Sequence, residues 1–163
     1  MKPLFTFLML LLFTAFIPAS AASAAMDVEQ TVVQMPLEEG ITMDDAVTSM
    51  KLRANLHNMM FVAHQPLHEQ LQKMGHDSMR LEIFQFCDPV TARKMVDHNA
   101  IFAAYMPCRI AMVERPGAPP LLMMLNLEML IQGGGLGPEL NALAEEVNDK
   151  LTDILQAGAA GEL

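Results

Sequence analysis

Two cysteines, Cys87 and Cys108, are the residues of this chain best suited to chemistry. They stand in Gln85-Phe86-Cys87-Asp88-Pro89 and Met106-Pro107-Cys108-Arg109, each at the boundary of a strand-like run. In an oxidising compartment an even pair is first read as a disulfide. Whether the pair can bond depends on the chain between them. Antiparallel strands bring both cysteines to one end of a sheet. A parallel crossover sends them to opposite ends, beyond the ~7 Å Cα separation a bridge can span. Three readings stay open: a structural disulfide, two free structural thiols, and a redox or metal site. Cys87 is the better candidate thiolate, because it precedes a helix start whose dipole favours the anion. Asp88 is explained by capping that helix; a catalytic pairing with Glu114 has no support in the spacing. Arg109 could orient an anion beside Cys108, although a solvent-seeking arginine in a strand is the commoner case.

The second candidate chemistry is metal binding. His64-x-x-x-His68 has the spacing that stacks two imidazoles on one helical face, but Pro66 falls between them and marks a helix start, which removes the shared face. No glutamate follows His64 directly, so the zinc-protease pattern is absent. His57, Met60, His64 and His68 form the candidate set, and thioethers with imidazoles suit copper in an exported protein. Against this, methionine fills irregular cores, and the doublets Met59-Met60 and Met123-Met124 lie in strand-like runs. No cofactor is expected, with copper as the alternative. There is no Gly-x-Ser-x-Gly elbow, Walker loop or Cys-x-x-Cys, and Gly133 to Gly137 lacks the lysine of a phosphate loop.

The compartment follows from the first residues. Lys2 is the only charge before Asp27, Leu4 to Ile17 is an apolar run broken only by Thr6 and Thr14, and Pro18 and a small-residue stretch from Ala19 to Ala25 follow. A basic start, a short apolar core and an Ala-x-Ala exit predict a cleaved export signal over residues 1–25, cut after Ala24 or Ala25. The apolar run is short of the ~20 residues a spanning helix needs, so no stable membrane anchor is expected after cleavage. The expected location is periplasmic or secreted. What remains, about 138 residues, suits one core. The formal charge of −9 becomes one unit more negative without Lys2. A chain this acidic, with no basic stripe, excludes nucleic acid and disfavours anionic membranes as partners.

Elements that must position the candidate residues can be read from periodicity. Residues 26–41 read as an N-terminal extension with strand character at Thr31 to Val33. Thr42, three residues before Asp45, starts a helix over 43–56. Met59 to Ala63 suits a strand. A helix follows Pro66 with Leu67, Leu71 and Met74 on one face, and Gly75 ends it. Arg80 to Phe86 alternates, which predicts a strand covered in part on both faces. Asp88-Pro89 opens a third helix ended by Asn99. Strands are expected over Tyr105 to Val113 and Leu121 to Leu127, joined by a Pro- and Gly-containing turn. After Gly133 to Gly135, Pro138 begins the longest helix, with Leu140, Leu143, Val147, Leu151 and Ile154 as its apolar stripe and Gly158 as its end. The expected architecture is one small α+β domain: a mixed or antiparallel sheet, helices packed on one face, and a long C-terminal helix.

Ile83-Phe84-Gln85-Phe86-Cys87-Asp88-Pro89, followed by Met106-Pro107-Cys108-Arg109-Ile110-Ala111, resembles the domain-of-unknown-function 302 family: a strand ending in Cys-Asn/Asp-Pro, a helix, and a strand opening with Pro-Cys-Arg. The resemblance covers roughly residues 42–130, leaving 131–163 as a Gly-rich linker and C-terminal helix. Cys87, Asp88, Pro89, Pro107, Cys108 and Arg109 match the signature. The resemblance implies a compact α+β domain, a homodimer, and no established activity. The expected function is an exported, non-enzymatic protein that binds a small ligand or partner in a groove beside Cys87 and Cys108. The alternative is a thiol-redox or copper-binding protein that uses those cysteines with Met or His residues.

Overall fold

The computed structural model describes residues 27–162, and the export signal expected over residues 1–25 lies outside them. Five strands form one sheet in the order β1-β5-β4-β3-β2, every neighbouring pair antiparallel. They are β1 (Val32–Pro36), β2 (Met60–Pro66), β3 (Leu81–Cys87), β4 (Cys108–Arg115) and β5 (Ala118–Leu125). Period-two alternation sorts their side chains. Phe84, Phe86, Ile110, Met112, Leu122 and Met124 are buried on one face, while Ile83, Gln85, Ala111 and Met123 on the other are half-buried.

Two helices cover the buried face. α1 (Met43–Leu56) contributes Ala46, Met50 and Ala54, and α5 (Pro138–Ala160) contributes Leu151, Ile154 and Leu155. Thr42 and Asp45 make the expected capping box at the start of α1. Arg53 of α1 reaches Asp153 of α5 at 2.6 Å and Glu162 at 2.8 Å, so the helix pair is also tied at its rim. The predicted class is therefore what forms: an α+β domain with an antiparallel sheet, helices on one face and a long C-terminal helix. No helix among the described residues is long and apolar enough to cross a membrane.

Several boundaries differ from the expectation, each for a local reason. Gly158 does not end the last helix; α5 runs on to Ala160, and Gly161 at φ +66° supplies the left-handed cap. Gly158 is needed inside the helix instead, because a Cβ there would stand 2.6 Å from Met50 Cγ and 3.0 Å from Leu122 Cδ1. The strand expected from Tyr105 starts only at Cys108. A 3-10 turn over Ala100–Tyr105, capped by Asn99, and a cis Met106–Pro107 peptide come first. The next strand starts at Ala118 rather than Leu121. Pro119 and Pro120 fall in the irregular stretch between the pairs Val113↔Leu121 and Arg115↔Ala118, where missing donors interrupt no regular ladder. It ends at Leu125, because the Asn126 side chain accepts from the Met129 N–H and opens α4 (Leu127–Gly133). Val32–Pro36, within the expected extension, forms the edge strand β1 against β5.

Candidate functional site

A cavity of about 990 Å³ opens at the end of the sheet where β3 stops and β4 begins. Antiparallel pairing sets this up. Phe86 lies across from Cys108, so Cys87 ends one strand beside the residue that opens the next. The intervening segment, α3 (Pro89–His98) and the 3-10 turn, forms one wall with Met95, Phe102 and Tyr105. α4 and the glycine-rich segment after it form another through Leu127, Leu130 and Leu136, and the first half of α5 adds Leu140, Ala144 and Val147. Met95, Ile131 and Ala144 form a small buried cluster separate from the main core. The walls are thus largely apolar, and the polar groups Asp88, His98, Asn99 and Glu139 are few.

Asp88 holds these walls together. Its side chain accepts from the Val90 and Thr91 N–H groups at 3.0 and 3.1 Å, and the Thr91 hydroxyl donates to it at 2.9 Å. Lys150 of α5 donates to the same carboxylate at 3.3 Å and to Glu146 at 2.6 Å. Burial pushes the Asp88 carboxyl up, but the Thr91, Lys150 and Val90 donors outweigh it and hold it below the ordinary aspartate range. At the far end of α3, His98 lies 3.6 Å from Glu139 in the first turn of α5. The two helices that flank the cavity are therefore bridged at both ends.

Both cysteines are free and both are among the residues that line the cavity, with Cys108 on the helix-covered face beside Phe86 and Cys87 on the face of Gln85. Burial pushes the Cys108 thiol up to about 11, and the neighbouring Cys87 adds to the shift. Burial also raises the Cys87 thiol, with the Asp88 carboxylate as the second cause. Burial and the Asp88 carboxylate thus both oppose the thiolate that a helix start would favour at Cys87.

The remaining candidates disperse. Arg109 is exposed and pairs with Gln85 on the sheet face away from α1 and α5, so it does not reach the cavity. Glu114, at the far end of β4, accepts from the Arg80 N–H and is not brought to Asp88. His57 caps the C-terminus of α1 and bonds to Asp153. Met60 is exposed on edge strand β2. His64 and His68 do meet, although not on one helix. His64 ends within β2 and His68 lies on α2 (Leu67–Lys73), and the corner at Pro66 turns both toward Glu82 of β3. His64 Nε2 is 3.1 Å and His68 Nδ1 is 3.8 Å from the Glu82 carboxylate, which is only 3% exposed. Arg80 occupies the same carboxylate at 2.7 Å and also pairs with Asp44 at 2.8 Å. Burial would raise the Glu82 carboxyl, but the Arg80 hydrogen bond and charge, with His64, bring it below its usual value. The four-residue copper set His57, Met60, His64 and His68 is therefore not one site. Among the described residues no three His, Cys, Asp or Glu side chains are arranged to hold a metal ion.

Sequence reasoning missed Met95, Phe102, Tyr105, Leu130 and Leu136 as cavity residues. Leu127 is read from the sequence as the end of a strand, and the apolar residues Met129, Leu130 and Ile131 that follow it are given no element. Glu82 was legible only as one position of an alternating strand.

Comparison with known proteins adds the following. The family model described as domain of unknown function DUF302 matches residues 33–158, most of the chain. The solved structure of an uncharacterised conserved DUF302 protein from Bacillus stearothermophilus superposes with a TM-score of 0.67 at 18% identity. The match covers 78% of this chain and 97% of that one, and at this identity it speaks for the fold. No curated protein matches the sequence.

Proposed function

Because the chain belongs to the DUF302 family, whose description assigns no activity, we propose from the geometry that it is an exported, non-enzymatic protein that binds a small ligand in the Cys87/Cys108 cavity. The observation that carries this reading is the cavity itself. Its volume is at the upper end of the ~300–1,000 Å³ typical of ligand sites, and its walls are apolar with few polar groups. Glu139 stands among those polar groups, the Asp88 carboxylate is taken up by Lys150 and the α3 cap, and the chain carries a net charge of −9, which favours a neutral or cationic ligand over an anionic one.

The thiol-redox alternative is weaker. Exchange chemistry needs thiolate, and both thiols are raised above their ordinary range. Export through a cleaved signal over residues 1–25 is part of the proposal and rests on the basic start, apolar run and Ala-x-Ala exit. A homodimer is part of it too. Edge strand β2 offers exposed Met60, Phe61 and Val62 beside exposed Leu52 and Leu56 of α1, and an unpaired antiparallel edge can pair with its own copy about a two-fold axis.

The test is titration of the purified protein with a neutral, environment-sensitive apolar fluorophore such as N-phenyl-1-naphthylamine. The proposal expects saturable binding near one probe per chain. Weak, non-saturating fluorescence would contradict it. Light scattering of the same sample should give twice the chain mass, and a monomer at micromolar concentration would remove the dimer.

A further inference from the structure

One face of α3 runs along the cavity for the whole length of the helix. Asp88, Ala92, Met95 and His98 recur at helical spacing, and all four line the space. Ten residues, each rising ~1.5 Å, make this wall about 15 Å long, so the cavity is elongated and has two ends. The ends differ in charge. At the start of α3 the Asp88 carboxylate is taken up by the helix cap and by Lys150. Beside its last turn stands Glu139, which also lines the cavity and whose carboxylate lies 3.6 Å from the His98 ring. Among the described residues no lysine or arginine meets it.

From this asymmetry we infer that the cavity takes a monocationic amphiphile, an amine with an apolar body, whose ammonium group sits at the Glu139 end. The inference deepens the reading of the cavity as a ligand site and rests on it.

The walls exclude the opposite charge. No lysine or arginine is among the residues that line the cavity, so an anionic headgroup finds no partner at either end. Between the ends, Met95, Met106, Leu136 and Leu140 offer apolar contact to the body of a ligand. Phe102 and Tyr105, with ring centroids 6.3 Å apart, add aromatic faces to the wall that follows His98 in the chain, and such faces attract cations.

Helix dipoles do not cancel the Glu139 charge. α5 begins at Pro138 with a partial positive end of about half a unit, but α3 ends at His98 with a partial negative end of the same size beside it. A neutral His98 therefore leaves the full carboxylate charge unmatched. The Glu139 side chain is 80% exposed, so its attraction is that of a surface pair. It selects among ligands, and burial of the apolar body supplies most of the affinity.

The experiment is displacement of bound N-phenyl-1-naphthylamine at about pH 8 by decylamine, decanol and decanoate, which share one chain and differ in headgroup. The inference expects decylamine to compete about 3-fold better than decanol and about 10-fold better than decanoate. Glu139→Gln should shrink the decylamine-to-decanoate ratio by about 3-fold and leave the unfolding midpoint in place. Glu145→Gln removes an exposed charge of the same helix outside the cavity, and should leave the ratio unchanged. Equal competition by the three compounds would overturn the inference while the cavity stands as a ligand site. So would a ratio that ignores Glu139→Gln, or one that falls as much in Glu145→Gln, since the preference would then belong to the field of the whole chain. Absence of saturable fluorophore binding would remove the cavity reading, and this inference with it.

Discussion

Cys108 lies directly across from Phe86 on the neighbouring strand, so the thiol that opens β4 and the thiol that ends β3 share one end of the sheet. Everything proposed for this protein is built around that end. The residue after Cys87 caps the helix that walls the cavity, and the helix bridged to that cap by Lys150 forms the opposite wall.

The capping claim is tested by Asp88→Ala. Loss of the side chain frees two helix N–H groups and the Lys150 contact, and should lower stability by about 1–2 kcal/mol in urea unfolding. The effect depends on pH with a definite sign. The folded Asp88 carboxyl is held below its ordinary value of 3.8, so its contribution is complete above that pH and is lost as the pH falls through the lower folded value. The wild-type and Asp88→Ala stabilities should therefore converge in acid.

Gly158→Ala is predicted to destabilise although alanine is the better helix former. The new Cβ would meet Met50 Cγ at 2.6 Å, a mid-chain atom fixed in the core, and Leu122 Cδ1 at 3.0 Å. Overpacking of about 1–3 kcal/mol exceeds the ~1 kcal/mol gained in helix propensity. Chemical denaturation should show a net loss, whereas Gly133→Ala, with nothing within 4 Å of its Cβ, should be close to neutral.

Glu82→Gln tests the charged cluster under the sheet edge. Arg80 keeps its charge but loses the nearly buried carboxylate, and His64 loses its partner, so stability should fall by about 2 kcal/mol or more. The folded Glu82 carboxyl lies below its ordinary 4.5, so the gap between wild type and variant is full above that pH and closes as the pH falls through the lower folded value. A gap that persists unchanged at low pH would contradict the assignment.

How far these relationships were legible beforehand differs by residue. Thr42 and Asp45, or Phe84 and Phe86, announce a helix start and a two-sided strand, because capping and alternation are local. The end of the sheet that carries both cysteines was legible only as a condition, since it required knowing that β3 and β4 are antiparallel. Gly158 was misread because a glycine near a helix end usually closes it; a neighbour 108 residues away, Met50, decides its role. The cavity was legible least. Its walls come from four separated segments, and the 3-10 turn and the short α4 carry too few residues for any period to show.

Leu130 offers a way to close the cavity without touching the main core. It lines the space yet is 39% exposed, so Leu130→Glu should leave the unfolding midpoint nearly unchanged and weaken the apolar fluorophore by about 10-fold or more.

The most direct measurement uses the methionines themselves, through the ε-methyl signals of the labelled protein in a titration with a neutral apolar compound. The account predicts saturable shifts at Met95, Met106 and Met129, which line the cavity, and none at Met60, Met74 or Met79, which are exposed outside it. Shifts confined to the exposed methionines, or no saturable shift at the first three, would contradict it.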